Sequence, residues 1–229
     1  GCPFVHDLER GRRFGTLQDF ENFVKLTYMI PWLHHGSGTL CEPMDIPENK
    51  RHLDMLYAHF RYSDKPFMGS VTSPEKVNDS LEMARLVFGA DFLKDHCAIQ
   101  GNINANSPLT YDATMSSALR IYAAANQGVV ISPFILGGAM APVTSAAALA
   151  QAHAEILACI VVSQLVNPGA PIIYTSFARG MDMKSGNVSM ACPEFGILKV
   201  AMAQMGRHLD LPIRMPSMLR DAKVLDAQA

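Results

Sequence analysis

Two hydrophobic periods alternate along this chain. In the first quarter the period is helical. Leu17, Phe20, Phe23 and Val24 recur on one face, Leu26, Thr27 and Tyr28 extend the stripe, Thr16 stands before it as a cap, and Pro31 ends it near residue 30. Residues 1–15, with Arg10, Arg12 and Arg13, read as a loop, and a short strand is expected around 39–41. A second helix starts near Pro47, with Asp45 before it, and runs to about 60. From there a two-part rhythm sets in. Short apolar runs predict strands at 67–71, 98–104, 129–132, 171–175 and 212–215. Between them lie helical stretches: Ser73-Pro74-Glu75 opening one to 88, then 112–126, a long alanine-rich helix from about 145 to 166, and Cys192-Pro193-Glu194 opening one to about 209.

Strands that alternate with helices at intervals of roughly 30–45 residues form a parallel sheet, because a parallel connection needs a crossover. The fold class is therefore α/β. A doubly wound sheet would be marked by a Gly-x-Gly-x-x-Gly first turn, and none occurs. A (β/α)8 barrel of the TIM type instead carries polar residues at many strand ends, as Asn104, Ser132, Thr175 and Arg214 do here. Five clear strands and a sixth at best fall short of the eight a barrel needs. The expectation is one truncated barrel domain over 1–229, with a helical lead-in at 1–62 and about five to six βα units over 63–229. The chain would then be an internal segment of a longer protein, with residues upstream of Gly1 and roughly the last two or three βα units outside it.

Composition narrows the function. With 19 basic and 21 acidic residues there is no electrostatic footprint for nucleic acid. Apolar residues make up 49% and charged residues 17%, as suits strands buried on both faces. The longest apolar stretch is interrupted by Gln151, His153 and Glu155, so no membrane span is expected, and no signal peptide opens the chain. Cys2, Cys41, Cys97, Cys159 and Cys192 are odd in number and scattered, which fits a reducing, cytoplasmic compartment. His34-His35 with Cys41, and His96-Cys97, match no common zinc spacing, so no metal site is expected.

The chemistry-bearing stretch is Gly101-Asn-Ile-Asn-Ala-Asn106. Asn102, Asn104 and Asn106 close a strand with three amides, each needing partners for a carbonyl and an NH2 if buried. That is poor core and good pocket wall. Asn106 has a second reading, as a brace for the turn before Pro108. Glu155, in the middle of an alanine-rich helix, needs a partner if buried, and a structural hydrogen bond between helix and strand is the first reading.

The stretches Asn106-Ser-Pro-Leu-Thr-Tyr-Asp112, Ser132-Pro-Phe-Ile-Leu-Gly-Gly-Ala-Met-Ala-Pro-Val-Thr144 and Gln164-Leu-Val-Asn-Pro-Gly-Ala-Pro-Ile-Ile-Tyr174 resemble those of the trimethylamine methyltransferase family. The likeness runs from Pro3 to the final Asp226-Ala-Gln-Ala. It implies a barrel, and it implies methyl transfer from a methylated amine to the Co(I) of a corrinoid (cobalamin) carried by a separate partner protein. None of that cofactor would be bound tightly by this chain. Trimethylamine-specific members of that family carry pyrrolysine; none occurs in this segment, and if the whole protein lacks it the resemblance implies a quaternary amine such as glycine betaine. Because the leaving group is then a neutral amine, no protein nucleophile is called for, and positioning dominates.

A pocket for such a substrate needs aromatic faces at the cation and donors at a carboxylate. The candidates are Asn102, Asn104 and Asn106 as donors, Phe134, Tyr174 and Phe177 as aromatic wall, and Arg214 for the carboxylate. No catalytic residue is singled out. Cys192 stands at a helix start, where a thiolate is favoured. Relatives resembling this chain have a small hydroxyl residue there, so the expected consequence is a weaker cap rather than a nucleophile. Two other readings stay open: a barrel lyase or hydrolase acting on a polar metabolite, and a non-catalytic betaine-binding protein. Self-association and the identity of the amine are not legible here.

Overall fold

The computed structural model describes residues 2–189 and 192–216. The chain forms two compact units, Gly1–Asn102 with Ile121–Gly128, and Ile103–Arg120 with Val129–Ala229.

The first unit opens on a hairpin. Strands β1 (Phe4–Asp7) and β2 (Gly11–Phe14) pair antiparallel, where the sequence reading expected a loop. Pattern alone was too short to show it. What makes the pairing is the Phe4–Phe14 ring stack at 4.9 Å, buried Val5, and Arg13 reaching both Asp7 and Asp19. Helix α1 (Leu17–Met29) begins at Thr16 in a capping box with Asp19. The Arg13 guanidinium and the Thr16 donors hold the Asp19 carboxyl well below the usual range. Pro47 precedes α2 (Glu48–Tyr62), while Asp45 caps the N–H of Leu17 in α1 rather than the helix it precedes. Phe20, Val24, Val5, Cys41 and Ala58 form the local core. The strand expected at 39–41 does not form. Cys41 is buried, and its neighbours Glu42 and Met44 make single bonds to Cys2 and Gly15.

Strand β3 (Phe67–Met68) is shorter than predicted and pairs parallel with β4 (Ile99–Ile103), Phe67 opposite Ile99. Helix α3 (Pro74–Phe88) is capped by Ser73, and a short helix that the sequence reading missed, α4 (Ala90–Asp95), leads into β4. The side chain of Gln127 is fully buried and joins these pieces. Its Oε1 accepts from the N–H groups of Ala98 and Ile99, and its Nε2 donates to the carbonyls of Leu93 and His96.

Helix α5 (Ala113–Ala124) leads to β5 (Gly128–Ile131), which pairs parallel with β7 (Ile172–Tyr174). Ser132 donates its N–H to Ile103 at 2.8 Å, and Ile213 makes a single parallel bridge to Tyr174 in place of the full strand expected at 212–215. A second parallel ladder was not foreseen. β6 (Phe134–Gly137) pairs with β8 (Phe177–Gly180) beyond the ends of β5 and β7. Helix α6 (Ser145–Val166) buries Ala148, Ala152, Glu155, Ile156, Cys159 and Ser163, spaced by threes and fours on one face. By length and composition alone it is apolar enough to cross a membrane, yet Gln151, His153 and Glu155 each hydrogen-bond to other elements of their unit. Helix α7 (Pro193–His208) starts at Cys192, whose side chain makes no cap bond, as expected for a thiol in place of a hydroxyl. Residues 223–229, after which a further helix was expected, lie outside the described residues.

The described architecture is thus α/β with parallel strand pairing and seven helices among the described residues.

Candidate active site

In the second unit the strands end in polar or aromatic residues, and three sites of polarity follow from that. The first is the segment after β4. Asn104 is exposed one residue beyond the strand, and no hydrogen bond ties its amide. Asn106 is exposed as well, but it works for the fold. Its N–H donates to Thr110 at 2.7 Å, and its Oδ1 accepts the N–H of Asp112, whose own carboxylate takes the N–H of Met115 in the first turn of α5. Asn106 thus braces the turn around Pro108, its second reading. Asn102 belongs to the first unit, is half-buried, and has its Oδ1 enclosed without a hydrogen-bond partner. Strand alternation is visible at its neighbour: Gly101 lies against the ring of Tyr122 in α5, so Asn102 points to the opposite side of β4.

The second is the paired ladder. Phe134 and Phe177 are register partners, and their rings stack with centroids 6.0 Å apart. Sequence reasoning named both, and the structure brings them together. It missed their neighbour. Arg179, two residues on in β8, is 1% exposed, with its guanidinium carbon 4.3 Å from the ring centre of Phe177 and 3.9 Å from that of Phe195. Burial draws the Arg179 pKa downward. The signal available was alternation: Phe177-Ala178-Arg179-Gly180 places the arginine on the side of Phe177 if the run is a strand.

The third is the end of β7. Ser132, Thr175 and Ser176 are buried there. Arg214 follows the Ile213 bridge, gives its N–H to the carbonyl of Tyr174 at 3.1 Å, and is half-buried, with desolvation lowering its pKa. Tyr174 lies apart from this group. It is fully buried, its hydroxyl shares a 2.8 Å hydrogen bond with Nδ1 of His153 in α6, and its ring is packed on Gly206 of α7. Burial raises the Tyr174 pKa to about 12 and lowers that of His153. The side of β7 that carries Tyr174 is therefore the helix-facing side, so its ring fills the layer between strand and helices instead of an open wall.

His35, one of the metal candidates, instead bonds Gln100 through Nε2 and accepts the N–H of Ser37 at Nδ1, and His96 bonds the carbonyl of Phe92. Among the described residues no group of three or more His, Cys, Asp or Glu comes together as ligands would.

Among the described residues, the strand ends of the second unit carry an exposed amide, buried hydroxyls, a stacked aromatic pair and the half-buried Arg214, while the Arg179 guanidinium is buried against Phe177 and Phe195. The family model described as trimethylamine methyltransferase (MTTB) matches residues 1–229, and the chain belongs to that family. It is 42% identical over its full length to a glycine betaine methyltransferase of Desulfitobacterium hafniense (strain Y51), covering 48% of that protein. It is 26% identical over 88% of its length to a proline betaine:corrinoid methyltransferase of Eubacterium limosum, covering 43% of it. A trimethylamine methyltransferase MttB of D. hafniense (strain DSM 10664 / DCB-2) is 30% identical over 82% of this chain, covering 38% of that protein. The chain spans about half the length, or less, of these curated relatives.

Proposed function

We propose that the whole protein moves a methyl group from a quaternary ammonium carboxylate, glycine betaine or a close analogue, to a corrinoid held by a partner protein. The observation that carries this is the 42% identity to a glycine betaine methyltransferase along the entire chain. The name of the proline betaine relative, a corrinoid methyltransferase, supports the acceptor. In this reading the βα units belong to a (β/α)8 barrel, and the strand ends described above lie at its C-terminal face, where barrel sites are built. The setting would be cytoplasmic.

In this reading the chain offers a donor set suited to a zwitterion, and the corrinoid is carried by the partner protein. When docked it supplies a Co(I) nucleophile. Transfer of the methyl to it would break the N–CH3 bond, leave the electron pair on nitrogen and release a neutral tertiary amine. The residues of this chain then have two tasks. One is to hold the ammonium end against an aromatic face, for which the Phe134 ring of the stacked pair is the proposed element, since the Phe177 ring already carries the Arg179 guanidinium. The positive charge leaves nitrogen as the methyl departs, so the ring orients the substrate more than it stabilises the transition state. The other task is to hold the carboxylate. Arg214 pairs with it and Asn104 donates from its amide.

The test uses the full-length protein with glycine betaine and a reduced corrinoid protein, reading the demethylated amine by mass spectrometry. Dimethylglycine is expected only when the reduced corrinoid protein is present. Turnover at full rate without it, or turnover confined to trimethylamine, would overturn the proposal.

A further inference from the structure

Glu155 has no role in the proposed chemistry, yet it sits 1% exposed in the middle of α6. Its carboxylate is an acceptor at both oxygens. Oε2 takes the hydroxyl of Ser107 at 2.7 Å, and Oε1 takes the N–H of Leu109 at 2.9 Å and an amide hydrogen of Gln151 at 3.1 Å. Its main-chain carbonyl accepts the hydroxyl of Tyr111 at 2.9 Å. One residue of α6 thus holds three alternate positions of the segment that follows β4. That same segment begins at Asn104, and its internal bonds, Asn106 to Thr110 and Asn106 to Asp112, hang from the three anchored positions.

Two further facts say that the anchoring is not incidental. Leu109 has φ +56°, a left-handed conformation that a branched side chain disfavours, and its side chain is 68% exposed, so burial does not hold it there. Its N–H is the group that is tied, to Glu155. Gln151, one turn earlier on α6, donates both to Glu155 and to the carbonyl of Met140, which lies in the Gly-rich loop after β6. The loop after β4 therefore reaches the carboxylate directly, and the loop after β6 reaches it through Gln151. Placing a carboxylate in a helix interior costs desolvation that an apolar residue would avoid, which argues for a use beyond filling space.

We infer that Glu155 is a positioning residue: it sets the register between the two loops and so fixes the Asn104 amide relative to the Phe134–Phe177 pair. This rests on the proposed substrate site. The hydrogen bonds make a carboxylate specific. In Glu155→Gln the shape is kept but the charge is lost: the NH2 sits opposite Ser107, whose hydroxyl must turn from donating to accepting, and the bonds from Leu109 and Gln151 become weaker neutral ones.

The experiment compares, in the full-length protein, Glu155→Gln with Ile156→Val, a buried neighbour on the same helix that bears no bond to either loop. Hydrogen exchange of peptides covering 105–112 and the KM and kcat for glycine betaine are read at a temperature where each variant is folded. For Glu155→Gln, exchange in 105–112 is expected to quicken about tenfold and KM to rise about tenfold, with kcat changed much less. Ile156→Val should leave both at the parent value. Should Glu155→Gln fail to fold, Ser107→Ala removes one anchor from the loop side and is expected to move both readouts the same way by a smaller factor. Parental exchange and KM in Glu155→Gln, or equal changes in Ile156→Val, overturn the inference. If the parent itself turns over no betaine, the proposed function fails, and unchanged exchange in 105–112 would then remove the anchoring role separately.

Discussion

Asn104 is free of the fold in a way its neighbours are not. Asn106 is spent on the turn and Asn102 is half-enclosed, whereas Asn104 is exposed and makes no hydrogen bond among the described residues. The two roles such a residue can have, brace or ligand donor, are therefore separable here. Asn104→Leu keeps the size and removes the donor. Losing one hydrogen bond to a substrate carboxylate should cost about 1–3 kcal/mol, roughly 5- to 150-fold in kcat/KM. Because the side chain is exposed and unbonded, the melting temperature should stay with the parent. Steady-state kinetics and a thermal melt on the same preparation check both halves. Unchanged kcat/KM would take Asn104 out of the site, and a large loss of stability would make it a structural residue.

At the scale of elements, what places β4 against α5 is a missing side chain. A Cβ on Gly101 would stand 2.6 Å from Cε2 of Tyr122, inside the ring's own volume. Tyr122 cannot swing away easily. It is fully buried, and its hydroxyl donates to the carbonyl of Ser70 at 2.9 Å. Gly101→Ala is expected to destabilise by about 1–3 kcal/mol, roughly 2–12 °C in Tm for a chain of this size. Thermal unfolding measures it, and a variant melting with the parent would mean that strand and helix can separate without loss. The helix starts were mostly legible, because a cap is a local device. Thr16 and Ser73 sit where their sequence spacing puts them, and Cys192 makes no cap bond. Asp45 was misread, since it caps Leu17 across 28 residues of chain, a distance at which spacing rules say nothing.

For the molecule as a whole, the clearest pH dependence comes from His59. It is 1% exposed, stacked on Phe67 and edge-on to Phe20, with one ring nitrogen on the carbonyl of Gly38 and the other enclosed without a partner. Burial lowers its pKa from about 6.5 to about 4. The folded-state value is the depressed one, so above pH 6.5 the group is neutral in both states and stability is full. Between pH 6.5 and 4 the unfolded chain gains a proton that the folded chain does not, and stability falls as pH falls. The total loss is about 3 kcal/mol. The downward shift at His153 has the same sign. Denaturant midpoints across pH 7 to 4 should fall in the parent and fall much less in His59→Phe. A parent profile that is flat over this range would show that His59 is not held neutral.

What the sequence determined by itself is the alternation of strands and helices from residue 67 onward, most helix starts, the parallel sense of the strands it foresaw and the family. Each of these is written locally, in periodicity, in cap and proline positions, or in long uninterrupted strings such as residues 132–144. What only the tertiary structure decided is which face each side chain takes and which distant partner it meets. Tyr174 reads as a wall residue until His153 and Gly206 are seen behind it. Phe134 and Phe177, 43 positions apart in the chain, become one aromatic pair only through a short ladder too weak in pattern to predict. Glu155 reads as a lone acid in an apolar helix until Ser107 and Leu109 arrive at its oxygens. The reason is the same in all three. A strand of three or four residues carries too few positions for its alternation to be phased, and a buried polar group finds its partners by proximity in space, which sequence separation does not encode.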